Sequence, residues 1–339
     1  MSSTTQPTTF SDLYTDLINK VRENSGLTTT VTLAKRAINS ALVDVHIMGG
    51  EKFPWAERRS TITTHPSYST GTVAVTVGSS TVTGTSTLWT TTNSYGQQNV
   101  RVGGKITFAG RFEVYSVTAV GGAGTLTISP SYIGTTDTDA TYVYFEDEYD
   151  LATDFSRPID LRTFDTERHI RLIGRQDFRR LYPRNRIPTT RLRHATLLDL
   201  PFNGSTTPVR KVQFAPPPSV ASVIPYTYVT QNLVVTAAGV EQSQFSSDTD
   251  EPTMPVRYRH VIVFGGLMHW FRDRKDDPRS QEAKAEYEQL RARMFGDMEI
   301  GAQQPRIIVS TGNKARAKRP WTSGSRRRFD MNGEFDRME

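Results

Sequence analysis

The sequence predicts an α+β protein. It is expected to hold a helical bundle formed by N- and C-terminal helix pairs, with a β-rich insertion that includes a separate small β barrel or sandwich module. Three observations lead there. Apolar residues recur at helical spacing near residues 10–47 and again near 256–294. Between 69 and 145 the composition shifts to Thr, Ser, Gly and Val in strand-like alternation. Beyond residue 310 apolar residues almost vanish. The expected organisation is 1–68 and 254–299 for the bundle, 69–146 for the β module, 147–253 for a β-rich region with a short Arg-rich helix, and 300–339 for a basic extended tail. A chain of 339 residues has room for about two ordinary domains.

Phe10, Leu13, Leu17, Ile18 and Val21 follow the spacing of one helical face. Thr9 and Asp12 predict a capping box, each side chain serving a backbone N–H that the first turn leaves open. Asn24-Ser25-Gly26 predicts the stop. A second helix is predicted over 31–47, where Ala34, Ala37, Ile38, Ala41, Leu42 and Val45 form a stripe whose small residues allow close helix approach; Gly49-Gly50 ends it. Neither stripe has a local partner. Residues 256–271 supply one, apolar almost all round as a helix buried on most sides must be. Asp277 is then expected as N-cap with Pro278 at the first helical position. The helix over 278–294 sets Ala283, Tyr287, Leu290 and Met294 on one face, pairs Lys284 with Glu288, and is predicted to end at Gly296.

In the insertion, Val73, Val75 and Val77 alternate with polar residues, and Gly78-Ser79 returns the chain into Thr81-Val82-Thr83. Alternating runs follow at 105–108, 111–120, 125–128 and 140–145, with turns at Ala109-Gly110 and 121–124. The second β region reads as a strand from Ile159, the Arg-rich helix over 165–181, strands over 191–199, 209–214 and 223–235, and an acidic loop over 242–253. The tail holds little besides Trp321, Phe329 and Phe335 to bury, so it cannot offset its ordering entropy alone. It is expected to stay mobile or to order on a partner.

Cys is absent, which excludes disulfides and thiolate metal sites. The opening MSSTTQPTTF has no basic region followed by an apolar run, so no secretory signal is expected, and no stretch approaches the ~20 apolar residues of a membrane span. The net charge of +6 is unevenly spread. Residues 306–329 carry eight basic and no acidic side chains, and 157–193 carry eleven Arg against four acids, leaving the remainder at −9. The 32 Arg outnumber 9 Lys, a usage suited to bidentate pairing with carboxylate or phosphate at interfaces.

No catalytic constellation emerges. The six His show no metal-ligand spacing, no phosphate-loop or nucleophile-elbow motif occurs, and no cofactor is expected. Glu146, Asp147, Glu148 and Asp150 could suggest paired carboxylates or a cation site. Neighbours on a strand point to opposite faces, however, and a solvated strand end would satisfy them without function. In the predicted Arg-rich helix, Arg168, Arg171, Arg175 and Arg179 fall on one face. That face would be solvated, clamp carboxylates of a neighbouring subunit, or contact phosphate backbone without sequence reading.

The segment FEDEYDLATDFSRPIDL, residues 145–161, resembles a run recurring in head-to-tail adaptor (connector) proteins of tailed bacteriophages. TFSDLYTDLINKVRE near the N-terminus and the pair RYRHVIVFGGLMHWFRDR and AKAEYEQLRARM extend the resemblance over roughly residues 10–298. The group includes the tail tubular protein A of short-tailed phages. The module beginning GTVAVTVGSSTVTGTSTLW resembles a small β domain inserted in some adaptors and other phage tail proteins. The resemblance implies a non-enzymatic virion protein of the neck, assembled in the host cytoplasm as a ring of twelve copies between the portal and a tail nozzle or tail-tube protein. DNA would pass through the lumen, and a C-terminal extension would reach the portal. On that expectation Lys318, Arg319 and Trp321 dock on an acidic portal groove, and Arg326, Arg327 and Arg328 steer the encounter. Arg168, Arg171, Arg175 and Arg179 would face a subunit interface or the DNA channel, and tail fibres could contact the β module. Two other readings stay open: a tail-fibre or baseplate component that binds host carbohydrate, and a non-specific DNA-binding virion protein.

Overall fold

A computed structural model describes residues 6–49, 53–161, 170–199 and 210–302, together with the strands Arg327–Phe329 and Phe335–Arg337. The chain divides into two compact units, Met1–Ala292 and Arg293–Glu339. The class is α+β, with five α-helices among the described residues and a large curled β-sheet.

Helix α1 (Phe10–Val21) opens with the expected capping box between Thr9 and Asp12. Its first free N–H groups are also served: Phe10 and Ser11 donate to the carbonyls of Asp250 and Asp248. The helix stops at Arg22, which takes the left-handed conformation (φ 60°), ahead of the predicted Asn24-Ser25-Gly26. Helix α2 (Thr28–Gly49) starts three residues earlier than predicted and buries the whole expected stripe. A 3-10 turn, Pro54–Ala56, leads into β1 (Glu57–Thr63), a strand inside a span the sequence assigned to helices.

The module that follows is one seven-stranded antiparallel sheet. Its strands are β2 (Thr72–Val75), β3 (Thr81–Thr85), β4 (Lys105–Phe108), β5 (Tyr115–Gly122), β6 (Thr125–Ser129), β7 (Asp137–Ala140) and β8 (Tyr142–Phe145). In the order β7-β2-β3-β6-β5-β4-β8 the two edge strands are consecutive in the chain, joined through Thr141 alone. The sheet must therefore curl until its edges approach, which makes a half-barrel rather than a two-sheet sandwich. Inward residues from all sides fill it, among them Val73, Val82, Trp89, Ile106, Tyr115, Leu126 and Tyr142.

Beyond it lie β9 (Glu148–Asp150), β10 (Phe155–Leu161), β11 (Arg171–Leu172), α3 (Arg175–Leu181), β12 (His194–Asp199), β13 (Arg210–Ala215) and β14 (Val223–Thr230). They form two sheets, β1-β14-β10 and β11-β12-β13-β9. One apolar cluster draws on both: Ile62, Tyr149, Phe155, Ala195, Val212, Phe214, Ile224 and Tyr226. Pro158 sits on edge strand β10 where the register with β14 is irregular, a place that tolerates a residue without an N–H. The small strands β15 (Val234–Val235), β16 (Glu241–Gln242) and β17 (Glu251–Pro252) frame the acidic loop. That loop is built onto the N-terminal helices. Asp250 is buried and accepts from the Ser246 and Ser247 N–H groups and Gln242, while Phe245 stacks on Phe10 at 4.5 Å between centroids.

Helix α4 (His260–Asp273) follows a 3-10 turn at Val256–Tyr258, so the predicted single helix from 256 begins four residues later. It approaches its neighbours through paired glycines. A Cβ at Gly265 would lie 2.9 Å from Ala41 and 3.2 Å from the Tyr287 ring; one at Gly266 would lie 2.8 Å from Leu17 and 2.9 Å from Ile38. Helix α5 (Asp277–Ala302) is capped one residue earlier than predicted: Asp276 Oδ1 accepts from the Arg279 N–H at 3.4 Å. It also runs through Gly296 instead of stopping there. In the second unit, β18 (Arg327–Phe329) and β19 (Phe335–Arg337) form an antiparallel pair, where the sequence predicted only an extended tail.

Candidate functional site

Residues 146–150 are not a solvated strand end. Glu146 is 7% and Asp147 1% exposed, because the half-barrel and the two-sheet region meet over them. Arg101, in the loop before β4, grips Glu146 with its guanidinium fork, Nε donating to Oε1 at 2.9 Å. The Tyr144 hydroxyl adds a bond to the same oxygen at 2.6 Å and accepts the Arg101 N–H at 3.0 Å. Lys105, at the head of β4, donates to Asp147 Oδ2 at 2.9 Å and to Glu148 Oε1 at 3.0 Å. Asn185 and Gln213 complete Asp147 Oδ2 at 3.0 and 2.7 Å. Oδ1 meets the Lys105 ammonium at 2.7 Å as an ion pair without hydrogen-bond geometry. Tyr149 closes the junction, its hydroxyl donating to the Glu146 carbonyl and accepting from His65 N–H.

The electrostatics follow from this packing. Burial would lower the Lys105 pKa, but Asp147 and Glu148 beside it hold the ammonium above its ordinary value. Burial first, and then the Glu146 charge, pushes the Tyr144 phenol far up; burial does the same to Tyr149. Gly104 is needed because a Cβ there would lie 2.1 Å from the Tyr144 hydroxyl oxygen and 2.4 Å from its ring carbons. A cleft of about 350 Å³ opens beside the junction, lined by Thr61, Ile62, Arg101, Glu148, Tyr149 and Lys211 among others. Its carboxylates already hold cations, with Lys211 lying 3.4 Å from Asp150. Among the described residues no group of three or more His, Asp or Glu side chains is arranged to hold a metal ion. The chemistry of this cluster is to join two bodies.

The rest of the segment serves the same end. Asp154 accepts from the Tyr228 and Thr230 hydroxyls at 2.8 and 2.7 Å, and its carbonyl takes the Gln231 N–H. Phe155 stacks on Tyr228.

The predicted Arg face divides. Arg168 lies outside the described residues, Arg171 is on strand β11, and only Arg175 and Arg179 share helix α3, four residues apart. The long helix over 165–181 is thereby corrected to seven residues starting after Gly174. Phe178 buries its inner side, and Tyr182 beyond its end meets His194 of β12 at 2.7 Å, which leaves the arginines outward. Lys318, Arg319, Trp321 and Arg326 lie outside the described residues. Arg327 and Arg328 are in β18, opposite Arg337 and Asp336.

Sequence reasoning missed Lys105, Arg101, Asn185 and Gln213, which come from 38 to 66 residues away. It also missed a second link between the bodies: Phe112 of the half-barrel lies under Arg186 and Arg184, at 4.5 and 5.2 Å from its centroid. The one available signal was a lysine heading an alternating strand, just after two glycines. No protein-family model matches the chain, and no curated protein is significantly similar to it in sequence. Among the described residues no helix is long and apolar enough to cross a membrane.

Proposed function

We propose that the chain is a head-to-tail adaptor of a tailed bacteriophage, a structural protein of the virion neck that acts by assembly. The observation that carries this reading is the role of the segment on which the resemblance rests. Glu146, Asp147 and Asp154 are spent on internal joints, and none is left as a free acid or base. A segment used to set a rigid angle between two bodies suits a ring subunit better than an enzyme or a carbohydrate reader. In this reading the four long helices form one bundle that is the framework of the ring, with the close Gly265 and Gly266 contacts at its centre. Twelve copies close head to tail through heterologous contacts. The portal binds the tail through Lys318, Arg319 and Trp321, with Arg326, Arg327 and Arg328 adding steering. A nozzle or tail-tube protein binds the opposite side, the half-barrel projects outward where fibres attach, and packaged DNA crosses the lumen.

Electron microscopy of the protein mixed with its portal tests this. Rings stacked on the portal are expected, and truncation after Ser310 should preserve the melting transition yet abolish attachment. A full chain that never forms a ring on the portal would defeat the adaptor reading.

A further inference from the structure

The segment from β11 to the start of β12 concentrates charge of one sign on a fixed scaffold. Residues 171–193 contain eight Arg, no Lys and a single acid, Asp177. Arg171, Arg175, Arg179, Arg180, Arg191 and Arg193 are exposed, and among the described residues none has a carboxylate partner. Their backbones are contiguous: Arg171 donates its N–H to the Arg193 carbonyl at 3.2 Å, and β11 leads into α3 within three residues. The scaffold beneath is pinned by Phe178, by the Tyr182–His194 bond and by the Ile173 N–H on Ala195. Bringing so many guanidinium groups together costs self-repulsion, and nothing within the described chain relieves it.

We infer that this surface binds the phosphate backbone of double-stranded DNA, without reading sequence. A run of guanidinium groups over edge strand β11, helix α3 and the segment entering β12 matches a continuous line of phosphates better than isolated carboxylates. Arg without Lys suits bidentate phosphate contacts. A second copy of the chain is the poorer partner, because its acidic loop is already paired internally: Glu241 with Arg58, Asp248 with Lys35 and Glu251 with Arg259. The inference deepens the adaptor reading at the surface where it left ring neighbour and DNA open. It rests on that reading only for the setting, since binding is a property of the free chain.

The test is fluorescence anisotropy of the full-length protein with a short labelled duplex of arbitrary sequence, from ~50 to ~200 mM salt. Binding should compete equally with unrelated sequences and weaken steeply with salt. R175Q/R179Q/R180Q should weaken it about tenfold or more and flatten the slope of log K against log salt by about 2 to 3, because each lost phosphate contact removes about 0.9. R326Q/R327Q/R328Q should change it less. Should the first variant fail to fold, R175K/R179K/R180K keeps the charge and must keep the slope; a slope lost there overturns the inference. Wild-type affinity and slope in the Gln variant would also overturn it, as would no binding by the wild type at ~50 mM salt. The same holds for a Gln variant that loses only ring formation, since the surface would then clamp protein. Absence of rings with the wild type alone strikes the adaptor reading and leaves DNA binding standing.

Discussion

The junction at 146–150 and the arginine surface at 171–193 are charged segments about twenty residues apart, and they are built on opposite plans. In the junction every charge is met by its opposite, and all but the exposed Asp150 are buried or half-buried: Glu146 by Arg101, Asp147 and Glu148 by Lys105, Asp150 by Lys211. On the arginine surface Arg171, Arg175, Arg179, Arg180, Arg191 and Arg193 are exposed and, among the described residues, have no carboxylate partner. Charges that are paired and desolvated fix geometry. Charges left unpaired on a rigid scaffold wait for something outside the chain. The acidic segment is therefore the joint of the molecule, and the basic one is its outward face.

The sharpest way to break this contrast is to orphan one partner in the junction. Lys105→Ala leaves Asp147 buried without its cation, which should cost about 3–5 kcal/mol in urea-induced unfolding. Replacing both, as Lys105→Met with Asp147→Leu, should recover much of that loss, because two apolar groups need no desolvation. Recovery will be partial, since Asn185 and Gln213 then lose their acceptor. A single Lys105→Ala variant that unfolds like the wild type would mean that water reaches Asp147 and the joint is not closed.

How much of this was legible beforehand depended on the distance between partners. The Thr9–Asp12 capping box, the Ala34 to Val45 stripe and the strand alternation of the half-barrel were readable because their causes are local. The burial of Asp147 was not readable, because its meaning lies in Lys105, Asn185 and Gln213, which only the fold brings near. The Arg-rich helix was overextended for a different reason. Arg spacing at 168–179 imitates a helical face, yet Arg171 and Leu172 pair in parallel with His194 and Ala195, so strand hydrogen bonds override the periodicity. Strand β1 was hidden by its composition: ERRSTIT buries only Ile62, since β1 is an edge strand that pairs with β14 alone and leaves its other side chains exposed or part-exposed.

Between the two extremes stands His46, buried near the end of α2 with Nε2 unpartnered. Burial lowers its pKa, the Arg157 charge lowers it further, and a hydrogen bond with the Thr230 backbone opposes them only in part. The unfolded chain binds this proton near pH 6.5 and the folded chain only at lower pH. In that window the unfolded state holds more protons, so stability rises with pH and is lost as pH falls from 7 through 6.5. Melting temperatures of wild type and His46→Gln, compared from pH 7 to 5, should converge or cross as the wild type loses this advantage. The effect is expected to be smaller than that of Lys105→Ala, because one proton is involved rather than an orphaned buried charge. Parallel curves across that range would show that His46 is not held neutral.

The smallest expected effect completes the contrast. Arg175→Gln with Arg179→Gln removes two exposed cations that share a flank of α3 and have no carboxylate partner among the described residues. Nothing buried is orphaned and no core contact is cut, so unfolding free energy should change by no more than about 0.5 kcal/mol. The sign should be slightly stabilising at low salt, because like charges at i,i+4 repel, and the gain should fade as salt screens them. Urea titrations of the pair variant at low and high salt check both points. A loss of stability beyond about 1 kcal/mol would place these side chains among the internal supports of the fold. The division between a paired joint and an unpaired face would then have to be redrawn. A neutral or stabilising result leaves their function, rather than the fold, as the reason for the charge.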